Sequence, residues 1–254
     1  MMFQSQYVYI VSLIVVFFLI LIYAFNNLYT NFMHIFSNLF PLIISGIAFL
    51  FSILAFKRYW TKSKEYFSII WLCFSIGLGL WFLGETTWAI FTLILGVEIP
   101  FPSIADIFWL IGYIPIFISL FLYVKSFSKV LSNRAIYLAT IITIILLIVI
   151  FTTLIIPIFE FEFSTNTIIS SAYPILDVIL LYIAILGLLI FYKGRIGKSW
   201  FFISLGLILY VIGDLFFNYF ITYGGYYCGH TLELFFHFGY LSLILAFYIH
   251  IKEL

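Results

Sequence analysis

Residues 67–94, FSIIWLCFSIGLGLWFLGETTWAIFTLI, decide the fold. Glu85 is the single charged side chain in the stretch. A helix of about 20 apolar residues crosses the ~30 Å hydrocarbon layer of a bilayer, so this segment is long enough to span it. Working outward, similar apolar runs recur at 7–25, 36–56, 105–124, 135–157, 172–192, 199–221 and 230–250, separated by short polar breaks. Over the whole chain 66% of residues are hydrophobic and 8% charged, and the mean hydropathy is +1.26. A water-soluble exterior needs far more polar surface than that, whereas lipid solvates such a composition directly. The expectation is an all-α, polytopic membrane protein of eight transmembrane helices, a single membrane domain over 1–254. Its connections leave no room for a soluble catalytic domain. The net charge of +1 offers no basic surface for nucleic acid.

The basic residues set an expected orientation. Lys57, Arg58, Lys62 and Lys64 follow the second span; Lys125, Lys129 and Arg134 follow the fourth. Lys193, Arg195 and Lys198 follow the sixth, and Lys252 ends the eighth. All eleven fall on one side, while the opposite loops carry Glu98, Glu160 and Glu162. The positive-inside rule then puts both termini in the cytoplasm of a cell-membrane, multi-pass protein. The first span has neither a basic leader nor a small-residue cleavage site, so it reads as a retained helix. Cys73 and Cys228 fall near opposite faces of the bilayer, too far apart for a disulfide.

Two segments repeat. WLCFSIGLGLWFLGE (71–85) aligns without gaps to WFFISLGLILYVIGD (200–214), with six identities and an acid closing each. DIFWLIGY (106–113) matches ELFFHFGY (233–240), and Phe40-Pro41 matches Tyr173-Pro174. The expectation is two parallel four-helix repeats, 1–130 and 131–254, related by a two-fold axis along the membrane normal.

Five acids lie within spans or at their mouths: Glu85, Asp106, Asp177, Asp214 and Glu233. None has a Lys or Arg in its span's apolar stretch. Each is therefore expected to be protonated, hydrated in a cavity or bound to a cation. Glu85 lies 21 residues past Lys64, roughly 31 Å along an ideal helix. Asp214 lies 16 past Lys198 and Asp177 16 before Lys193, each roughly 24 Å. All five thus belong to the half of the bilayer away from the lysines, which implies a polar cavity opening outward. SIAD (103–106) after Pro100 and Pro102 has the pattern of a helix capping box. Glu233, and Asp177 just after Pro174, fit the same terminal role. Glu85 and Asp214 lie well inside their helices, where a functional role is the default for an acid.

Trp81, Glu85 and Trp88 share one helical face, and Tyr210, Asp214 and Phe217 repeat the spacing. An acid stripped of water between rings suits general acid catalysis, and the rings also suit a quaternary ammonium group. Plain aromatic packing is the competing reading. The expected ligand-binding set is Trp81, Glu85, Trp88, Asp106, Asp177, Tyr210, Asp214, Glu233 and His237. His230, Glu233 and His237 share a face and are weak metal candidates; hydrogen bonds from the histidines to acids or tyrosines compete with that reading. His34 and His250, near span ends, read as incidental. No cofactor is indicated: no phosphate loop, dinucleotide fingerprint or nucleophile elbow is present, and no span offers a lysine for a retinal Schiff base.

Two resemblances rest on these residues. WFLGETTW (81–88) followed by PFPSIADIFWLIGY (100–113) resembles the multi-helix membrane region that precedes signalling modules in archaeal and bacterial sensor proteins. With the chain ending at Leu254, this implies a separate signalling protein as partner. Gly84-Glu85 and Gly213-Asp214 with eight spans resemble the lysoplasmalogenase family, integral-membrane hydrolases of a lipid vinyl ether. That resemblance implies Glu85 and Asp214 as catalytic acids. Here the first is Glu where that family has Asp, and the second follows Gly where it has Ser. The leading expectation is a stand-alone sensory or ligand-binding membrane domain for a lipid or small amphiphile. The alternatives are such a hydrolase, or a proton- or cation-coupled transporter.

Overall fold

The computed structural model describes residues 2–62, 66–161, 164–191 and 197–253. These are mostly helical, with no strand among the described residues. The helices are α1 (Met2–Ala24), α2 (Thr30–Lys62), α3 (Tyr66–Ala89) and α4 (Ile104–Phe127), then α5 (Asn133–Ile150) and α6 (Ile156–Phe161), and finally α7 (Thr165–Phe191), α8 (Lys198–Tyr223) and α9 (Glu233–Glu253). A π-helical turn at Ile90–Ile94 extends α3, and another at Phe151–Ile155 joins α5 to α6. Counting α5 with α6 as one, eight helical stretches among the described residues are long and apolar enough to cross a membrane. Backbone hydrogen bonds closed within each helix make this the stable form of an apolar chain in lipid.

Two boundaries move from the sequence expectation. Helix α2 begins at Thr30 and α7 at Thr165, earlier than expected, so Pro174 sits well inside its helix rather than near its start, as Pro41 and Pro115 sit inside theirs. Lipid tolerates an interior proline where neighbouring groups satisfy the carbonyl it frees. Helix α4 starts on the expected capping box, with Ser103 accepting from the Ala105 N–H and Asp106 from the Ser103 N–H at 2.6 Å.

Neighbouring contacts run α2–α3–α4–α7–α8–α9 and back to α2, which closes a ring of six helices. Helix α1 leans on α9 and α5 on α7, outside the ring. These two outer helices show the most apolar side chain to the surroundings, Leu13 and Ile145 among it. Across the ring, α3 and α8 meet through rings: Trp71 with Trp200 at 5.0 Å, and Trp81 stacked on Tyr210 at 4.2 Å. His250 is buried against Trp71 at 4.3 Å, so it is a packed core residue and not an incidental one.

Glycines let adjacent helices touch. A Cβ on Gly77 would meet the Gly112 carbonyl oxygen at 3.0 Å between α3 and α4. A Cβ on Gly206 would meet the Gly239 carbonyl oxygen at 2.8 Å between α8 and α9. Likewise Gly84 lies under Trp109 and Gly213 under Phe235 and Phe236.

The described basic residues lie at or just beyond one set of helix ends, called the basic end below: Lys57 and Arg58 late in α2, Lys125 late in α4, Lys198 opening α8 and Lys252 closing α9. Lys64, Lys193, Arg195 and Glu162 lie outside the described residues, as do the side chains of Lys62 and Glu160.

Candidate functional site

Every one of the five acids meets a tyrosine hydroxyl, and most of these tyrosines come from another helix. Tyr240 of α9 donates to Glu85 Oε1 at 3.2 Å. Tyr113 of α4 lies 2.6 Å from Asp177 Oδ1 and 3.2 Å from Asp214 Oδ2. Tyr173 of α7 donates to Asp106 Oδ1 at 2.8 Å. Glu233 receives Tyr23 of α1 at 2.7 Å, Tyr226 at 3.1 Å and the Gly229 N–H at 2.8 Å. A phenol offers one donor on a rigid apolar ring, so it satisfies an acid inside an apolar ring of helices at little polar cost.

Glu85 and Asp214 belong to one environment. They project from the facing helices α3 and α8, each one turn past the Trp81–Tyr210 stack. Both side chains are half-buried, whereas Asp177 is fully buried. Each thus keeps part of its surface exposed beyond the Trp81–Tyr210 stack. Trp88 and Phe217, also half-buried, stand one turn further out. Trp88 Nε1 is already committed to Asn38 Oδ1 at 2.8 Å, and Trp81 Nε1 to the Trp109 carbonyl at 3.2 Å. Because Trp81 and Tyr210 stack on each other, those two ring faces are not free to cage a cation.

Asp177 departs from its expected terminal role. Helix α7 starts at Thr165, so Asp177 lies in mid-helix, facing the same hydroxyl as Asp214. The two carboxyls are neighbours, since both lie within reach of the one Tyr113 hydroxyl, at 2.6 and 3.2 Å. Asp106 serves the capping box and Tyr173.

Glu233 and His237 form a second cluster, at α1. Tyr23 Oη is 2.6 Å from His237 Nε2 as well as 2.7 Å from Glu233. With a proton on Nε2, His237 donates to Tyr23 and Tyr23 donates to Glu233, leaving His237 Nδ1 as an unpartnered acceptor. His230 does not join them. Its Nδ1 accepts the Leu232 N–H at 3.1 Å, and its ring packs on Phe220 and Tyr227. Among the described residues no three His, Cys, Asp or Glu side chains converge as metal ligands, so the expected His230–Glu233–His237 face is not assembled as such a site.

The loop 224–232 folds over this end. Asn26 donates to the Gly229 carbonyl at 3.0 Å, and the exposed Cys228 thiol lies 2.9 Å from Ser37 Oγ and 3.2 Å from Asn38 Nδ2. Burial and then the Glu233 charge push the Tyr226 phenol well up. Burial lowers the His230 imidazole.

Tyr23, Tyr113, Tyr173 and Tyr240 were not expected as site residues. A signal existed for two of them: Tyr113 and Tyr240 close the matched segments DIFWLIGY and ELFFHFGY.

Eight apolar helices closed around an apolar, aromatic core, with little polar surface between their ends, define a multipass membrane protein of the lipid bilayer. No protein-family model, curated protein or solved structure matches the chain.

Proposed function

We propose that the protein is a receptor-type membrane domain that binds a small amphiphile carrying an ammonium or other N–H donors in the crevice edged by Glu85 and Asp214. The observation that carries this reading is the pair itself: two half-buried acids from facing helices, with every described Lys and Arg at or beyond the other helix ends. An ionised acid within the apolar layer costs roughly 2.5 kcal/mol or more, and a cationic ligand offsets that cost. Each tyrosine supplies one donor, and a carboxylate has about four acceptor positions, so capacity is left for a ligand. An alkyl tail would lie along the apolar rim of the helices.

The recurring contacts support two equivalent halves, 1–130 and 131–254. Tyr240 on Glu85 repeats as Tyr113 on Asp214, and the glycine crossings of α3/α4 repeat at α8/α9. The one-sided basic residues support cytoplasmic termini and an outward crevice. A sensing role then calls for a separate signalling protein that reads the basic end.

The test is thermal stability in lipid nanodiscs with dodecylamine, dodecanol or dodecyl phosphate. The amine raises the melting temperature of the wild type, dodecanol does not, and Glu85→Gln or Asp214→Asn abolishes the rise. An amine effect equal to that of dodecanol, or unchanged in both variants, overturns the reading.

A second reading, acid-catalysed lipid hydrolysis by Glu85 and Asp214, draws on the same shared crevice. Release of an aldehyde from a vinyl-ether lysolipid, lost in either variant, would select it over simple binding.

A further inference from the structure

The geometry points to a proton-binding site between Asp177 and Asp214, in which one exchangeable proton is held by the buried acid and handed to the crevice through its half-buried partner. A count of hydrogens carries this. Tyr113 has one hydroxyl hydrogen but lies within bonding distance of Asp177 Oδ1 and Asp214 Oδ2. It donates at the shorter contact, 2.6 Å, to Asp177. Asp177 Oδ2 then remains, fully buried and with no hydrogen-bond donor. An acceptor in that position carries the full desolvation cost of an unmade bond, and an ionised one far more. A proton on Asp177 Oδ2 removes the buried charge, and the Asp214 carboxyl, which shares the Tyr113 hydroxyl with Asp177, is the neighbouring group to receive it.

The surroundings leave the proton as the occupant. Helix α4 presents Tyr113 to Asp177. Helix α8 presents Asp214 with Tyr210 close by, and on α7 itself Tyr173 is committed to Asp106. Helix α5 carries Arg134 and Tyr137, both exposed near the basic end, and no titratable group at this level. Among the described residues no cationic side chain therefore balances the pair. The matching half lacks the extra acid: counting from Pro41 as from Pro174, α2 places buried Ile44 where α7 places Asp177, and Glu85 has Tyr240 alone.

The exchange balances simply. The O–H bond at Asp177 Oδ2 breaks, the proton forms a bond to Asp214, and from there it passes to water in the crevice. The pair goes from one negative charge to two. The charge of the crevice is thus set by this proton, and a cation bound at Asp214 and the proton compete. The site itself is independent of the proposed amphiphile, and its test uses none.

The test is infrared spectroscopy of the protein in nanodiscs, titrated with acid and base in H2O and D2O. At neutral pH the wild type shows a protonated-carboxyl component that shifts in D2O. Asp177→Asn removes this component, and Glu85→Gln retains it. Tyr113→Phe moves it to higher frequency, because the Asp177 carbonyl loses its donor. Absence of the component from the wild type, its persistence in Asp177→Asn, or its indifference to Tyr113→Phe overturns the proposal. Its disappearance when Na+ replaces K+ at constant pH also overturns it, in favour of a metal cation.

Discussion

Replacing Gly206 by Ala tests how tightly the helix ring is closed. The new Cβ would lie 2.8 Å from the Gly239 carbonyl oxygen, and 3.2 Å from Leu243 and Ser242. The first neighbour is backbone, so α8 and α9 must separate by a few tenths of an ångström along their crossing. Overpacking of this kind costs about 1–3 kcal/mol. Ala gains about 0.8–1 kcal/mol over Gly in helix propensity, which leaves a net loss of up to about 2 kcal/mol. For a chain of this length that is a fall of up to roughly 8 °C in apparent melting temperature. Gly79→Ala is the control. Its Cβ would meet only the tip of the Phe49 ring at 2.8 Å, a side chain that can swing aside. Its cost and the propensity gain nearly cancel. Both variants are read by differential scanning fluorimetry in one detergent. Gly206→Ala melting with Gly79→Ala would refute the inference that backbone contact holds α8 against α9.

Tyr113→Phe leaves the fully buried Asp177 short of a donor and should cost about 1–3 kcal/mol, more than Tyr240→Phe, whose acid is half-buried and already at 3.2 Å; chemical unfolding in mixed micelles compares them. Ser103→Ala breaks the capping box of α4 and should cost about 0.5–2 kcal/mol by the same assay. The His230 imidazole sits below its ordinary value of 6.5 in the folded protein, so the unfolded chain binds its proton first. Its contribution to stability is therefore whole above pH 6.5 and is lost as the pH falls below it. Protonation also removes the Nδ1 acceptor of the Leu232 N–H, and His230→Asn should flatten the acid side of the melting-temperature profile.

The spans were legible because length and apolarity alone specify a membrane helix, and the stretch 67–94 shows both. The start of α7 was less so: Pro174 read as lying near a helix start, while in lipid the helix carries on through it. SIAD (103–106) announced its cap because the motif is local. The pairing of Glu85 with Asp214 was suggested by the repeated Gly-acid ending, a pattern visible without coordinates. What the sequence hides is which distant helix supplies each phenol. Tyr23 lies 210 residues from Glu233, and Tyr173 lies 67 from Asp106, so no periodicity within one segment connects them. Asp177 likewise gains its meaning only from Tyr113 across the α4–α7 interface.

The central claim is that the Glu85–Asp214 crevice binds a cationic amphiphile. Photo-crosslinking with a diazirine-bearing long-chain amine in nanodiscs, followed by peptide mapping, tests it most directly. The account predicts adducts on α3 around Glu85 and on α8 around Asp214, competed away by dodecylamine and absent from the Glu85→Gln, Asp214→Asn double variant. Adducts confined to the exposed faces of α1 and α5, unaffected by competitor or variant, would contradict it.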